Sequence, residues 1–133
     1  MKQKVYLAGG FKSNWQADVK KIDGFTWLDP REKEMPNGVK VPMSVNEYGI
    51  WDLHFIKHSD IVFVYAEATN TSCIGLSVEI GYAKGLGKTV ILVLEPNHET
   101  IKDAYLQFLK NAACITFDNL QTGLDYLQSF RIR

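Results

Sequence analysis

The chain alternates short apolar runs with longer stretches in which apolar residues recur at helical spacing. Five runs are apolar nearly throughout, as is typical of strands buried on both faces; they cover residues 4–8, 25–28, 60–65, 90–94 and 114–117. Helical spacing predicts a helix from residue 14 and further helices over residues 50–56, 75–86, 100–110 and 120–127. Predicted strands and helices therefore alternate along the sequence.

This alternation predicts an α/β fold. Buried strands separated by helices form a parallel sheet with helices on both of its faces. We expect a single domain over residues 1–133, with a doubly wound, flavodoxin- or Rossmann-like sheet of five parallel strands. In such sheets, ligands bind at the carboxyl ends of the strands. Residues 32–45 hold two prolines and no periodicity, so they predict a long loop of the kind that often covers a site.

Charge and composition narrow the range of partners. The fifteen basic and fifteen acidic side chains cancel, so no net field attracts the chain to a nucleic acid polymer or to an anionic membrane. No signal-peptide core and no bilayer-spanning apolar stretch is evident. Cys73 and Cys114 lie far apart without a CxxC spacing, which argues against a disulfide framework or a thiolate zinc site. We expect a soluble, cytoplasmic protein.

Two glycine-containing segments match nucleotide-binding motifs only in part. Residues 85–89 are similar to the end of a P-loop, but Tyr82 occupies the position of the first glycine and the segment runs from helix into strand. A helix end with capping glycines is the favoured interpretation. Gly9 and Gly10 follow the first strand without the full GxGxxG spacing, so no dinucleotide cofactor is expected.

Metal and acyl-transfer chemistry have equally little support. His54 and His58 stand at zinc-ligand spacing, yet Phe55 replaces the glutamate of HExxH and no third ligand is evident. Two exposed helix histidines are the simpler interpretation. No Gly-x-Ser-x-Gly motif occurs, and Cys73 has no histidine near it in sequence. We expect neither a metal nor an activated serine or cysteine.

Two carboxylates and a tyrosine indicate a different chemistry. Tyr6 lies on the first predicted strand, Asp52 on the helix before the third, and Glu79 near the start of the next helix. The positive end of a helix dipole stabilises a charged carboxylate, which suits Glu79 as a nucleophile. Breaking a sugar-to-base bond needs one carboxylate to take the anomeric carbon and one acid to protonate the base. From spacing alone, a solvated glutamate, a surface aspartate and a core tyrosine remain the favoured interpretation.

Several segments resemble one enzyme family, and this resemblance makes functional roles for these three residues the favoured interpretation. The motifs are residues 5–9 (Val-Tyr-Leu-Ala-Gly), 60–65 (Asp-Ile-Val-Phe-Val-Tyr), 75–83 (Gly-Leu-Ser-Val-Glu-Ile-Gly-Tyr-Ala) and 87–93 (Gly-Lys-Thr-Val-Ile-Leu-Val). Together they resemble the nucleoside 2-deoxyribosyltransferase superfamily over most of the first 95 residues. The transferase-like branch is the most similar, because the chain also has Asn14-Trp15, Leu28-Asp29-Pro30-Arg31 and Trp51-Asp52-Leu53.

By position, this resemblance implies roles for individual residues. It makes Glu79 the nucleophile, Asp52 the acid that binds and protonates the base, and Tyr6 the hydroxyl that orients the nucleophile. No cofactor is required for this chemistry. The implied substrate-binding residues are Gly9, Phe11, Trp15, Asp29, Arg31, Ser72, Cys73 and Gly75.

One departure from the family leaves the substrate open. Many members have an aspartate that contacts the base six residues before the nucleophile, where this chain has Cys73. Related hydrolases hold a 5′-phosphate with serines near this point, and Ser72 with Arg31 offers the same groups here. The base preference and the need for a phosphate therefore stay open.

The leading expectation is transfer of a 2-deoxyribosyl group from one base to another through a covalent ester on Glu79. Hydrolysis of a nucleoside 5′-monophosphate is the first alternative, and a non-catalytic nucleotide sensor is the second. The expected partners are a small nucleoside or nucleotide and a nucleobase, together with further copies of the same chain in a homo-oligomer. The last expectation rests on the family alone, since the 131–133 ending does not clearly resemble the family's chain terminus.

Overall fold

The computed structural model describes residues 1–32, 44–70, 74–99 and 103–132. Within these ranges, five strands and five helices alternate, with one 3₁₀ turn at Pro30–Glu32. The strands are β1 (Gln3–Gly9), β2 (Phe25–Leu28), β3 (Ile61–Ala66), β4 (Thr89–Leu94) and β5 (Ile115–Phe117). The helices are α1 (Trp15–Val19), α2 (Val45–His58), α3 (Ile74–Gly85), α4 (Asp103–Ala112) and α5 (Leu120–Gln128).

The five strands form one parallel sheet in the order β2-β1-β3-β4-β5. β1 and β3 are neighbours in the sheet although β2 lies between them in sequence, with Tyr6 opposite Val62 and Gly9 opposite Tyr65. The connections that leave their carboxyl ends diverge to opposite sides, which opens a crevice at this point of a doubly wound sheet. The predicted fold class is confirmed.

Two hydrophobic cores cover the two faces of the sheet. On one face, α2, α3 and α4 pack against alternate strand residues, with Ile56, Ile80 and Leu109 among the buried side chains. On the other face, α1 and α5 pack through Trp15 and Leu127. Because both faces are covered, every residue of β3 is buried, which explains its continuous apolar run.

The start of α2 lies earlier than its apolar spacing predicts. Ser44 caps the helix: its hydroxyl accepts a hydrogen bond from the Glu47 amide at 3.3 Å, and the Glu47 carboxylate accepts one from the Ser44 amide at 3.1 Å. This capping box satisfies two backbone donors, so the helix begins at Val45 before its apolar residues do. Residues 33–43 of the predicted loop, and with them any lid, lie outside the described residues.

The end of α3 has the glycine cap that the sequence indicates. Gly87 adopts a φ of +73°, and the Lys88 amide donates to the Ala83 carbonyl at 3.0 Å. This is a left-handed helix end, which glycine adopts without steric cost. The helix-cap interpretation of residues 85–89 is therefore confirmed. None of the helices in the described part of the chain has the length and apolar content of a bilayer-spanning segment.

Gly123 permits the close packing of α5 on the sheet, and its substitution tests this packing. A β-carbon there would overlap Val93 Cγ2 and touch the Phe63 ring. We expect Gly123→Ala to lower the free energy of unfolding by roughly 1–3 kcal/mol, measured by urea denaturation. Gly81→Ala is the matched control, because that exposed α3 position has no atom within 4 Å of the new carbon. Equal losses in the two variants would contradict this packing.

Candidate active site

A cavity of about 850 Å³ lies at the carboxyl ends of β1 and β3, where the strand order reverses. Two loops and two helices surround it. Its described lining consists of residues 9–13 after β1, Tyr48, Gly49, Asp52 and Leu53 on α2, Glu67, Thr69 and Asn70 after β3, and Ile74, Gly75, Leu76, Val78 and Glu79 on α3. This is the position at which doubly wound folds bind ligands.

Asp52 and Glu79 both face this cavity. Asp52 lies one helical turn before Ile56, and Glu79 lies one turn after Leu76, so the packed faces of α2 and α3 orient both carboxylates toward the sheet. One oxygen of each, Asp52 Oδ1 and Glu79 Oε2, is buried. Each carboxylate therefore lines the cavity while part of it is withdrawn from bulk water.

Tyr6 lies fully buried on the same face of the sheet as α2 and α3. Burial raises the pKa of the Tyr6 hydroxyl, and the charges of the nearby Glu79 and Asp52 raise it further. Tyr6 therefore stays protonated, with its hydroxyl in the neighbourhood of both carboxylates. The structure brings together the three residues that the sequence put forward as a catalytic set.

The dipole of α3 contributes less to Glu79 than expected from the sequence. Glu79 is the sixth residue of α3, and no acidic residue lies in the first turn of that helix. The effect of a helix dipole falls off within the first turn. The helix dipole is therefore a weak source of stabilisation for the charged Glu79 carboxylate.

Three other predicted substrate residues, Gly9, Phe11 and Gly75, line the cavity. Gly9 has a φ of +152°, and a β-carbon there would lie 2.5 Å from the Tyr65 carbonyl oxygen. Only glycine fits this point, where β1 passes close to β3 and turns into the cavity loop. Phe11 is half exposed and places an aromatic ring at the cavity mouth.

Trp15 does not lie on the described cavity surface, and its contact with a substrate stays a prediction. Its ring is buried in the opposite core, beside Phe63 and Tyr65. Its indole nitrogen donates to the Gly10 carbonyl at 2.9 Å, and the buried Gln16 donates to the same oxygen at 3.0 Å. Trp15 therefore holds the loop that forms the cavity.

Asp29 and Arg31 also lie outside the described lining and bind each other. The buried Asp29 carboxylate accepts hydrogen bonds from the Arg31 guanidinium at 2.9 Å and forms an ion pair with Lys20 at 2.8 Å. Burial on its own would raise the pKa of Asp29, but the bonds from Arg31 and Lys20 outweigh it and hold the pKa below its usual value. Arg31 also donates to Asn14. Their contact with a substrate stays a prediction.

The remaining sequence candidates divide into two groups. Ser72 and Cys73 lie outside the described residues. His54 and His58 are exposed on α2 with their ring centroids 4.5 Å apart. Within the described ranges, no group of three or more His, Cys, Asp or Glu side chains is placed to hold a metal ion.

Sequence reasoning missed the polar residues that directly follow β1 and β3. Lys12, Ser13, Glu67 and Asn70 all line the cavity. The Ser13 hydroxyl donates to Glu67 Oε1 at 3.0 Å, which joins the two loops across the crevice. Their position immediately after two buried strands was the available signal, because those strand ends meet at the ligand-binding edge.

The chain is similar to one known protein family and to several solved structures. The profile of a family described as "nucleoside 2-deoxyribosyltransferase like" matches residues 2–97. No curated protein matches the chain at a significant level. Among solved structures, a 2-deoxyribosyltransferase of the bacterium Bacillus psychrosaccharolyticus is similar, with 27% identity, 98% of this chain and 97% of that chain covered, and a TM-score of 0.69.

Two more distant structures share the fold. The 2-desoxiribosyltransferase of Leishmania mexicana is 14% identical, with 98% of this chain and 99% of that chain covered and a TM-score of 0.66. The CMP N-glycosidase of Clostridium botulinum is 17% identical, with coverage of 96% and 100% and a TM-score of 0.61. The predicted family resemblance over the first 95 residues is confirmed by the profile match.

The ion pairs of Asp29 with Arg31 and Lys20 lead to a prediction about how the stability of the fold depends on pH. Because the folded-state pKa of Asp29 is lowered, its stabilisation is present above the unfolded value of about 3.9 and is lost as pH falls through the folded value. We expect Asp29→Asn to cost on the order of 2–4 kcal/mol at neutral pH, and the difference from the parent protein to shrink below about pH 4.

Urea denaturation across a pH series measures this effect. Asp18→Asn is the control, because its ion pair with Lys21 is largely exposed and contributes under about 0.5 kcal/mol. A loss for Asp29→Asn that is the same at every pH would contradict the assigned role of its charge.

Proposed function

Because the chain belongs to the nucleoside 2-deoxyribosyltransferase-like family, we propose that it cleaves the N-glycosidic bond of a deoxynucleoside and transfers the sugar to another base. The observation that carries this proposal is the meeting of Asp52 and Glu79 in one cavity, with the buried Tyr6 hydroxyl near enough to both for their charges to raise its pKa. Two carboxylates and a donor are sufficient for glycosidic chemistry without a cofactor.

In the first step, the Glu79 carboxylate attacks the anomeric carbon while the bond from that carbon to the base breaks. The electron pair of the broken bond goes to the base, and Asp52 in its acid form supplies a proton to the base. The products are the free base and a deoxyribosyl ester of Glu79.

Tyr6 acts through Glu79. Since its hydroxyl stays protonated near Glu79, it is available to donate to the carboxylate and to hold one oxygen in place while the other attacks. A carboxylate oriented before the substrate arrives loses less entropy in the transition state. Tyr6 is therefore a positioning residue for the nucleophile.

In the second step, a new base attacks the anomeric carbon of the ester, the bond from that carbon to the Glu79 oxygen breaks, and Glu79 leaves as a carboxylate. Asp52 takes the proton that the incoming base releases, so the enzyme returns to its starting state. Water in place of the base gives hydrolysis. The apolar residues at the mouth, including the half-exposed Phe11 and Tyr48, favour a planar base as the second ligand.

The phosphate-dependent alternative has less support from the described cavity. Arg31 binds Asp29 and Asn14 and is not part of the described lining, whereas Asp52, Glu67 and Glu79 give the described lining a negative character. Lys12 is the cation of the described lining.

The assembly of several copies remains a proposal, supported by the exposed Ile74 and Val78 at the mouth.

Base release and base exchange test the proposed chemistry. The purified protein is incubated with deoxynucleosides or their 5′-monophosphates, with and without a free acceptor base, and the products are separated by chromatography. We expect a new nucleoside only when the acceptor is present. Glu79→Gln should lower kcat by roughly 1,000-fold or more, since it removes the nucleophile.

A distant carboxylate serves as the control for this substitution. Asp125→Asn on the exposed face of α5 makes the same change of carboxylate to amide and should keep full activity. Free sugar with or without acceptor would move the function to hydrolysis. Binding of nucleosides without any product would move it to a sensor, and full activity in Glu79→Gln would refute the mechanism.

Tyr6→Phe isolates the contribution of the hydroxyl. The ring still fills its buried position, so the melting temperature should change little, whereas kcat should fall by roughly 10–100-fold as Glu79 loses its donor. Steady-state kinetics and thermal denaturation measure the two quantities. Tyr126→Phe, on the far helix α5, is the matched control. An unchanged kcat in Tyr6→Phe would contradict the positioning role.

A further inference from the structure

Two loops face each other across the cavity and determine its width. The first lip is residues 9–13 after β1, and the second lip is residues 67–70 after β3. The Ser13 hydroxyl donates to Glu67 at 3.0 Å. Gly10 approaches Asn70 so closely that a β-carbon on Gly10 would lie 3.0 Å from its side-chain nitrogen. A shift of either lip therefore changes the space available to a ligand.

The second lip is tied to the end of β4 through the side chain of Glu95. Glu95 Oε1 accepts a hydrogen bond from the Ala68 amide at 2.8 Å, and Oε2 accepts one from the Tyr65 hydroxyl at 2.8 Å. The backbone adds two more links, because the Glu95 amide donates to Ala66 at 3.1 Å and the Glu99 amide donates to Ala68 at 2.9 Å. Both carboxylate oxygens of Glu95 are thus bonded to the segment that forms the lip.

The same carboxylate reaches the first lip through two aromatic rings. The Tyr65 ring packs edge-on against Trp15, with centroids 5.3 Å apart and an interplanar angle of 85°. Trp15 in turn donates to the Gly10 carbonyl at 2.9 Å. Burial raises the pKa of Tyr65, and the bond to Glu95 raises it further, so the hydroxyl remains a donor. A continuous path therefore runs from Glu95 to both lips.

We propose that Glu95 is a positioning residue that fixes the distance between the two lips and so determines substrate affinity without touching the substrate. This inference rests on the proposed function for its kinetic readout. Glu95 lies outside the described cavity lining. A lip that is already ordered costs no further conformational entropy when the ligand binds, so its loosening weakens binding before it slows the chemistry.

Three variants and one exchange measurement test this role. Glu95→Ala removes both bonds, Glu95→Gln keeps the shape and one acceptor, and Tyr65→Phe cuts only the path to the first lip. We expect KM for a deoxynucleoside to rise roughly 10-fold in Glu95→Ala and about 3-fold in the other two, with kcat within about 3-fold of the parent. Hydrogen exchange of the segment that contains Ala68 should accelerate in Glu95→Ala.

Gly24→Ala separates this role from a general loss of stability. Gly24 has a φ of +100° and precedes β2, so it lies at the amino ends of the strands, opposite the edge that carries the lips. A β-carbon there strains the backbone, and the variant should leave KM unchanged at a comparable drop in melting temperature. An unchanged KM in Glu95→Ala, or an equal rise in Gly24→Ala, would overturn the proposal. If no substrate is turned over by the parent protein, the proposed function fails by itself. Amide hydrogen exchange then tests the role of Glu95 without a kinetic readout. Unaltered protection of the Ala68 amide in Glu95→Ala would overturn that role.

Discussion

The reversal of strand order between β1 and β3 opens the crevice on which the rest of the site depends. The connections after these two strands diverge, so their ends leave a cavity of about 850 Å³ among the described residues. α2 and α3 pack on one face of the same two strands and bring Asp52 and Glu79 to the cavity wall. Tyr6 reaches Glu79 from the sheet below. Three separate segments therefore converge through backbone topology.

This arrangement places ionisable groups where water is scarce, and the surrounding structure offsets that cost. The buried Tyr6 hydroxyl stays in its neutral form, because burial and the nearby charges of Glu79 and Asp52 raise its pKa. Beside the cavity, Asp29 is buried against Arg31 and Lys20. The two apolar cores on either face of the sheet hold both arrangements rigid. A site of this kind is preorganised before any ligand binds.

The sequence predicted the fold well because its strands are buried on both faces. β3 and β4 read as unbroken apolar runs, and the alternation with helices leaves few other topologies. The start of α2 was missed, since a capping box at Ser44 overrode the apolar spacing. The first helix spans only Trp15–Val19, too short for spacing to define its end.

The site was predictable only in part. Glu79, Asp52 and Tyr6 came from the family resemblance, because spacing alone favoured structural roles for all three. Trp15 was assigned to the cavity although its ring packs in the opposite core, a distinction that depends on which face of the sheet α1 covers. The bonds of Glu95 to Tyr65 and Ala68 join residues far apart in sequence, so no local pattern signals them.

The covalent ester on Glu79 is the central claim, and mass spectrometry of the intact protein tests it most directly. The protein is mixed with a deoxynucleoside without an acceptor base, and the reaction is quenched in acid. The intact mass is measured, and the protein is then digested to locate any added mass. The account predicts one deoxyribosyl group on the peptide that contains Glu79, and its disappearance when an acceptor base is added before the quench. Continued base release with no adduct, or an adduct on another residue, would contradict it.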